Sequence, residues 1–354
     1  MSDPRRTILP IQYLRAVAAL LVVWHHTTAL NGLTLQHYTS RFGTAGVDVF
    51  FAISGFVMVL TCTGRKVAPL DFLRHRLIRI APIYWALTLV MVLLAVLPPH
   101  VFGGLQPTPR STVLSLLFLP HYSDTRPAEI WPLLVPGWTL NFEMLFYLLF
   151  AASLLAQQRA TRVLVASCVA LVGIGQVFGP FDGAMALSYT SPLLLEFAGG
   201  AVVARLWQRG WLAPAAPQAL LAVVAGAGLL LLGPTQHGSW ARQIGSWLVL
   251  TACLCPAWHR RWPALAALGN ASYSIYLTHV FTLAAVTVVV ARVGLPASLA
   301  GATAAMVLAM SACTGVGLVV YRWVELPLTS LMRRHFDAPR VSPGLLIPSR
   351  TWRG

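Results

Sequence analysis

Charge is what this 354-residue sequence has least of. Asp, Glu, Lys and Arg make up 10% of it, against about 25% in soluble proteins. Acidic residues are scarcest, ten against 25 basic ones, and nearly all of the basic ones are arginine. Hydrophobic residues reach 57% and mean hydropathy is +0.71. A soluble domain of this length has no means of hiding so much apolar surface, so the chain reads as a polytopic membrane protein. Cysteine is also sparse. Cys62, Cys168, Cys253, Cys255 and Cys313 each sit in or beside an apolar run. They form no zinc-ligand spacing and read as small buried hydrophobes, so no metal is expected. The Gly-x-Ser-x-Gly elbow, the phosphate-binding Walker loop, the dinucleotide fingerprint and the His-Glu-x-x-His pair are all missing. Their absence counts against a hydrolase, an ATPase and a zinc peptidase.

What is present is a series of apolar runs near 9–30, 44–62, 80–98, 137–156, 163–180, 184–204, 214–232, 243–258, 268–291 and 297–320. The expected architecture is all-α: an integral membrane bundle of about ten transmembrane helices over residues 1–336, with no internal repeat. A Pro-, Ser- and Arg-rich tail, 337–354, is expected to be disordered and cytoplasmic. The first run is too long for a signal-peptide core and reads as a retained span. The stretch 111–120 is a weaker candidate for a short re-entrant or interfacial helix.

Charge sets the orientation. With the N-terminus cytoplasmic, 19 of the 25 basic residues fall in cytoplasmic segments. Arg41, Arg110, Arg126, Arg242 and Arg292 fall outside, and Arg15 lies within the membrane. The positive-inside rule favours this arrangement, with both termini cytoplasmic. It also accounts for the net charge of +15 through membrane lipids, without nucleic acid. The polar, Pro-rich segment 99–136 becomes the largest external loop.

Ionisable groups inside such spans need a reason to be there. Arg15 and His26 are 11 residues apart in one apolar stretch. At about 100° per residue they share a helix face, separated by about 16 Å along the axis. His25 lies about 100° off that face. Arg76 and Arg79, at the cytoplasmic entry to the third span, also share a face. Two guanidiniums there suit bidentate phosphate binding, or serve as anchors on lipid headgroups. Topology places His26, Asp48 and Glu143 at one depth, toward the external side. A carboxylate beside an imidazole fixes its tautomer and stabilises its charged form, although each residue alone also fits helix packing or capping. Tyr273, Tyr276 and His279 step by three and read as a structural hydrogen-bond stripe. Trp85, Trp138, Trp207 and Trp323 fall near span boundaries and read as an interfacial belt.

Six blocks occur in order: IQYLRAVAALLVVWHH, FGTAGVDVFFAISGFVM, FLRHRLIRIAPIYW, VPGWTLNFEMLFY, LGNASYSIYLTH and YRWVELPL. Together, over roughly residues 8–330, they resemble the acyltransferase-3 family of bacterial membrane O-acyltransferases, and within it the exopolysaccharide acetyltransferase branch. The resemblance implies a ten-helix enzyme of the bacterial inner membrane. Such an enzyme moves an acyl group, commonly acetyl, from cytoplasmic acyl-CoA to a hydroxyl of a glycan or lipid-linked saccharide. Acyl-CoA is then a co-substrate, and no cofactor is held permanently. The family's Arg-x10-His motif falls on Arg15 and His26, and its Arg-x-x-Arg motif on Arg76 and Arg79. The Ser-Gly-Phe block falls on Ser54, Gly55 and Phe56, and the Gly-Trp-Thr-Leu block on residues 137–140, leading to Glu143.

The expected mechanism is direct transfer. CoA phosphates dock on Arg76 and Arg79, and the pantetheine arm passes Arg15. His26, oriented by Asp48 or Glu143, takes the proton of the acceptor hydroxyl. Asn141, Thr139 and Ser54 are candidate oxyanion donors, and Trp138 is expected to contact substrate. The alternative is a proton-coupled transporter or flippase of a glycan precursor, for which inverted repeats would be expected.

Overall fold

The computed structural model of the chain describes residues 8–28, 43–62, 67–95, 105–234, 236–296 and 298–336. Among these residues there is no strand. The helices are α1 (Leu9–Thr27), α2 (Ala45–Cys62), α3 (Pro69–Leu94), α4 (Pro109–Leu116), α5 (Trp138–Leu154), α6 (Ala160–Phe178) and α7 (Ala184–Tyr189). They continue with α8 (Leu194–Gln208), α9 (Ala216–Leu232), α10 (Trp240–Ala252), α11 (Pro263–Val293), α12 (Leu299–Val320) and α13 (Leu326–Phe336). The tail 337–354, together with Arg5, Arg6, Arg41, Arg65 and Lys66, lies outside the described residues.

Each of the ten apolar runs forms a helix, but they are not alike. Seven helical segments are long and apolar enough to cross a membrane: 45–62, 69–94, 135–154, 157–178, 184–208, 263–293 and 299–336. The runs at 9–30, 214–232 and 243–258 become α1, α9 and α10. The first of these carries Arg15, His25 and His26, α9 has 17 residues, and α10 has 13. The run at 184–204 breaks at Ser191 and Pro192 into α7 and α8. The weak candidate at 111–120 is the short helix α4, capped by Thr108, whose side chain accepts from the backbone N–H of Ser111.

Helices α1, α2, α8 and α11 form the centre. The most extensive contacts are α2 on α8 and α1 on α11. The α2–α8 crossing is close because Gly55 and Gly200 face each other across it. A Cβ on Gly55 would lie 2.0 Å from the Phe197 carbonyl oxygen, and one on Gly200 would lie 2.0 Å from that of Ala52. Small residues of this kind are how helices approach closely in lipid, where burying apolar surface gives no drive to associate. Helix α3 carries Pro82 in its interior and packs against α5. On the far side of the bundle α9 packs on α10, and α12 packs on α11. A π-helical turn, Tyr321–Glu325, joins α12 to the exposed helix α13.

Two assignments made from sequence change here. Arg242, counted in an external segment, is fully buried near the N-terminus of α10 and not exposed in a loop. Trp85 and Trp323 are exposed on the outside of the bundle. Trp207, however, packs on Phe56 with ring centroids 6.0 Å apart, and Trp138 faces two cavities.

Candidate functional site

Helix α1 runs past two cavities. At its N-terminal half, a narrow cavity of about 100 Å³ is lined by Arg15, Arg76 and Arg79 together with Ser54, Glu143 and Tyr147. The three guanidiniums come from α1 and from the first turns of α3, and Glu143 is the carboxylate that shares the cavity with them. Arg76 Nη2 donates to Thr61 Oγ1 at 2.9 Å, and its guanidinium lies over the rings of Phe72 at 5.4 Å and Tyr147 at 5.9 Å. Arg15 Nη1 donates to Gln12 Oε1 at 3.3 Å. Glu143 Oε1 accepts from the hydroxyls of Tyr147 and Ser54, the latter at 3.2 Å. Glu325 acts on Arg15 and Arg79 from outside the cavity, so three cations face two carboxylates and leave an excess positive charge that an anion would relieve.

At the C-terminal end of α1, a wider cavity of about 770 Å³ is lined by His26, His279, His121, Asp124, Trp131 and Trp138 among others. His26 Nδ1 donates to the Val22 carbonyl at 2.8 Å, with the tautomer assigned from that contact. Nε2 is therefore the nitrogen left to accept a proton. The ring of His279 lies 4.7 Å away, centroid to centroid. His279 repeats the arrangement: Nδ1 meets the Tyr276 carbonyl at 2.5 Å, while Nε2 is buried with no hydrogen-bond partner. Two imidazoles thus present the same tautomer to one cavity. At its rim, hydroxyls of Ser111 and Thr108 hold the Asp124 carboxyl below the usual carboxylate range, so it is ionised at neutral pH.

The two cavities meet at a thin partition. Val47 and Tyr276 line both of them. The Tyr276 hydroxyl donates to the Pro136 carbonyl at 2.9 Å and lies 3.0 Å from Thr139 Oγ1. This ties the phenol to the turn Val135–Gly137 that precedes α5. Along α11, Tyr273 lines the arginine cavity, Tyr276 the partition, and His279 the histidine cavity.

The structure therefore brings Arg15, Arg76, Arg79, Ser54 and Glu143 together, and places His26 in the neighbouring cavity, which shares Val47 and Tyr276 with theirs. It corrects three expectations. Asp48 does not orient His26. It is fully buried, ion-paired with Arg242 Nη1 at 2.9 Å and hydrogen-bonded to His237 Nδ1 at 3.2 Å, with the buried Glu196 beside it. Arg242 Nη2 also donates to Thr44 Oγ1 at 2.7 Å. The Asp48 side chain leaves α2 toward α10, away from α1. Glu143 does not orient His26 either, because its carboxylate lies in the arginine cavity; the Val22 carbonyl is what fixes the imidazole. Asn141 is not beside His26. It lines a third cavity of about 690 Å³, on the other side of Trp138. Thr139 and Ser54 remain on the arginine side of the partition.

His279 was the residue that sequence reasoning undervalued. The three-residue stripe on α11 was visible, and so was its shared face. The orientation of that face toward His26 depends on the packing of α11 against α1, which no local pattern encodes.

A family model described as an acyltransferase domain matches residues 9–322. The chain is 38% identical, over 323 residues, to the exopolysaccharide production protein ExoZ of Rhizobium meliloti (strain 1021). That alignment covers 88% of this chain and 96% of the relative. No solved structure matches.

Proposed function

The chain belongs to the acyltransferase-3 family, and from that premise we propose that it O-acylates an exported glycan at the expense of cytoplasmic acyl-CoA. The observation that carries the proposal is the pair of unlike cavities on α1, separated only by Val47 and Tyr276. In this reading the membrane is the bacterial inner membrane, both termini are cytoplasmic, and the arginine cavity opens toward the cytoplasm. Arg76 and Arg79 take the CoA phosphates, which planar, permanently charged guanidiniums bind in bidentate fashion. The narrow cavity admits the thin pantetheine arm alongside Arg15 and excludes the bulkier nucleotide. For the thioester to reach His26, the Tyr276 side chain swings aside.

The histidine cavity receives the glycan. His26 Nε2 takes the proton of the acceptor hydroxyl as its oxygen attacks the thioester carbonyl. The C–S bond then breaks, and the imidazolium returns the proton to the departing CoA thiolate. An imidazole whose Nδ1 is engaged and whose Nε2 is open can take a proton and return it, as both halves of this exchange require. His279 Nε2, lacking any donor in the resting state, accepts a hydrogen bond from a second hydroxyl of the sugar and so turns the reacting one toward His26.

The test uses sealed inverted vesicles carrying the purified protein, with acyl-labelled acetyl-CoA outside and deacylated exopolysaccharide inside. Label appearing on the enclosed glycan, with one CoA thiol released per acyl group, is the expected result. Glycan movement with no acyl-CoA consumed would replace this reading with a transporter.

A further inference from the structure

The third cavity, about 690 Å³, takes no part in the chemistry described above. It sits where the N-terminal turns of α5, the C-terminal end of α6, the α7–α8 break and residues 128–131 come together. It is not isolated. Trp131, Trp138 and His237 line both it and the histidine cavity, so the two are neighbouring lobes separated by two indole rings and an imidazole. Each lobe alone falls within the roughly 300–1,000 Å³ that holds a drug-sized ligand. One sugar ring fills only a fraction of either.

The lining joins apolar walls, among them Phe142, Phe181 and Leu187, to groups that can hydrogen-bond. Glu129, Gln176, Ser188 and Thr190 supply donors and acceptors around it. Asn141 supplies the decisive feature: it is 2% exposed, it lines this lobe, and its Oδ1 has no hydrogen-bond partner. A buried amide oxygen without a donor costs free energy that a ligand hydroxyl would recover. Trp138 and Trp131 are half-buried at the junction, and the C–H face of a pyranose packs well against an indole. Trp131 is steadied from elsewhere by the Arg126 guanidinium, 5.4 Å from its ring centroid. Alternating ring faces and hydroxyl-binding groups match a saccharide chain better than a lipid tail, which would leave the Asn141 oxygen unanswered.

We propose that the acceptor is an oligosaccharide held in both lobes, with the sugar to be acylated beside His26 and at least one further sugar in the Asn141 lobe. The inference rests on the glycan reading above and adds an acceptor length and a second subsite. Trp138 divides the subsites. Asn141 donates to and accepts from hydroxyls of the outlying sugar, and it does not touch the reacting atoms.

The experiment takes deacylated exopolysaccharide from a host strain lacking this gene and cuts it into a ladder of one to eight sugars. Acylation of each length by the full-length protein in lipid nanodiscs is then followed. Catalytic efficiency is expected to rise once the acceptor is long enough to pass Trp138, chiefly through KM. Asn141→Ala is expected to raise KM for the octasaccharide about tenfold, the loss of one buried hydrogen bond, while kcat holds. Gln176→Trp, at an exposed position, fills the lobe and is expected to flatten the length dependence in the same way. Efficiency independent of length in the unaltered protein overturns the second subsite, as does an octasaccharide advantage that survives both substitutions. If a single sugar bearing an alkyl chain gains as much as the octasaccharide, the lobe holds lipid and the proposal fails. If no member of the ladder is acylated at any length, the glycan reading itself falls, an outcome distinct from the others.

Discussion

The arginine and histidine cavities share two side chains and little else. One is narrow, about 100 Å³, and concentrates Arg15, Arg76 and Arg79 around Glu143. The other is wide, about 770 Å³. Two neutral-tautomer imidazoles stand at its base, and Asp124 and Arg126 of opposite sign at its rim. A tight, strongly basic space selects for charge and slenderness. A roomy, charge-balanced one with aromatic walls selects for shape and hydroxyl pattern. That division matches a transfer reaction whose two substrates differ in the same respects, and under the proposed function it separates binding of the donor from activation of the acceptor.

Substitutions that act on one cavity alone are the means of breaking this contrast. The largest effect is expected from His26→Ala, which removes the base and lowers the acylation rate by about 10²–10⁴-fold while leaving acyl-CoA affinity intact. Turnover at the normal rate in that variant, measured by thiol release, would end the general-base role. Next in size is Asp48→Ala, in neither cavity. It leaves Arg242 buried without its carboxylate, a loss of about 3–5 kcal/mol. Thermal unfolding in detergent should fall well below that of the unaltered protein; an unchanged midpoint would mean that the cluster is not structural. Arg76→Ala or Arg79→Ala should each remove a charge-assisted contact of about 1.5–3 kcal/mol, seen as weaker acyl-CoA binding with acceptor KM unmoved. Equal affinity in both would return these residues to a lipid-anchoring role. The smallest change is expected from Tyr276→Phe. It deletes the hydrogen bond to Pro136, about 1 kcal/mol, and should speed uncoupled hydrolysis of acyl-CoA by loosening the partition. No change in the hydrolysis-to-transfer ratio would count against a gating phenol.

Helical periodicity made part of this legible in advance. The common face of Arg15 and His26, the Arg76–Arg79 pair and the Tyr273–Tyr276–His279 stripe all follow from spacing within one helix, and each is found as the spacing requires. Partners across the bundle did not follow. Asp48 pairs with His237 and Arg242, 189 and 194 residues away in sequence, and nothing local to α2 favours them over His26. Chain topology orders residues along the bundle axis, but it says nothing of direction around the helix. That direction is set by the close crossing at Gly55 and Gly200, which fixes the rotation of α2 against α8. Trp138 illustrates the same limit: its position near a span boundary suggested a belt residue, whereas the turn at Val135–Gly137 points it inward.

The partition at Val47 and Tyr276 has a consequence for the cell as a whole. A passage wide enough for a thioester arm is wide enough for water, and a file of water conducts protons. If the proposed thioester arm crosses here, the phenol tied to Pro136 is also a seal, and the bilayer's ability to sustain a gradient across this protein depends on how rarely and how briefly that one ring moves.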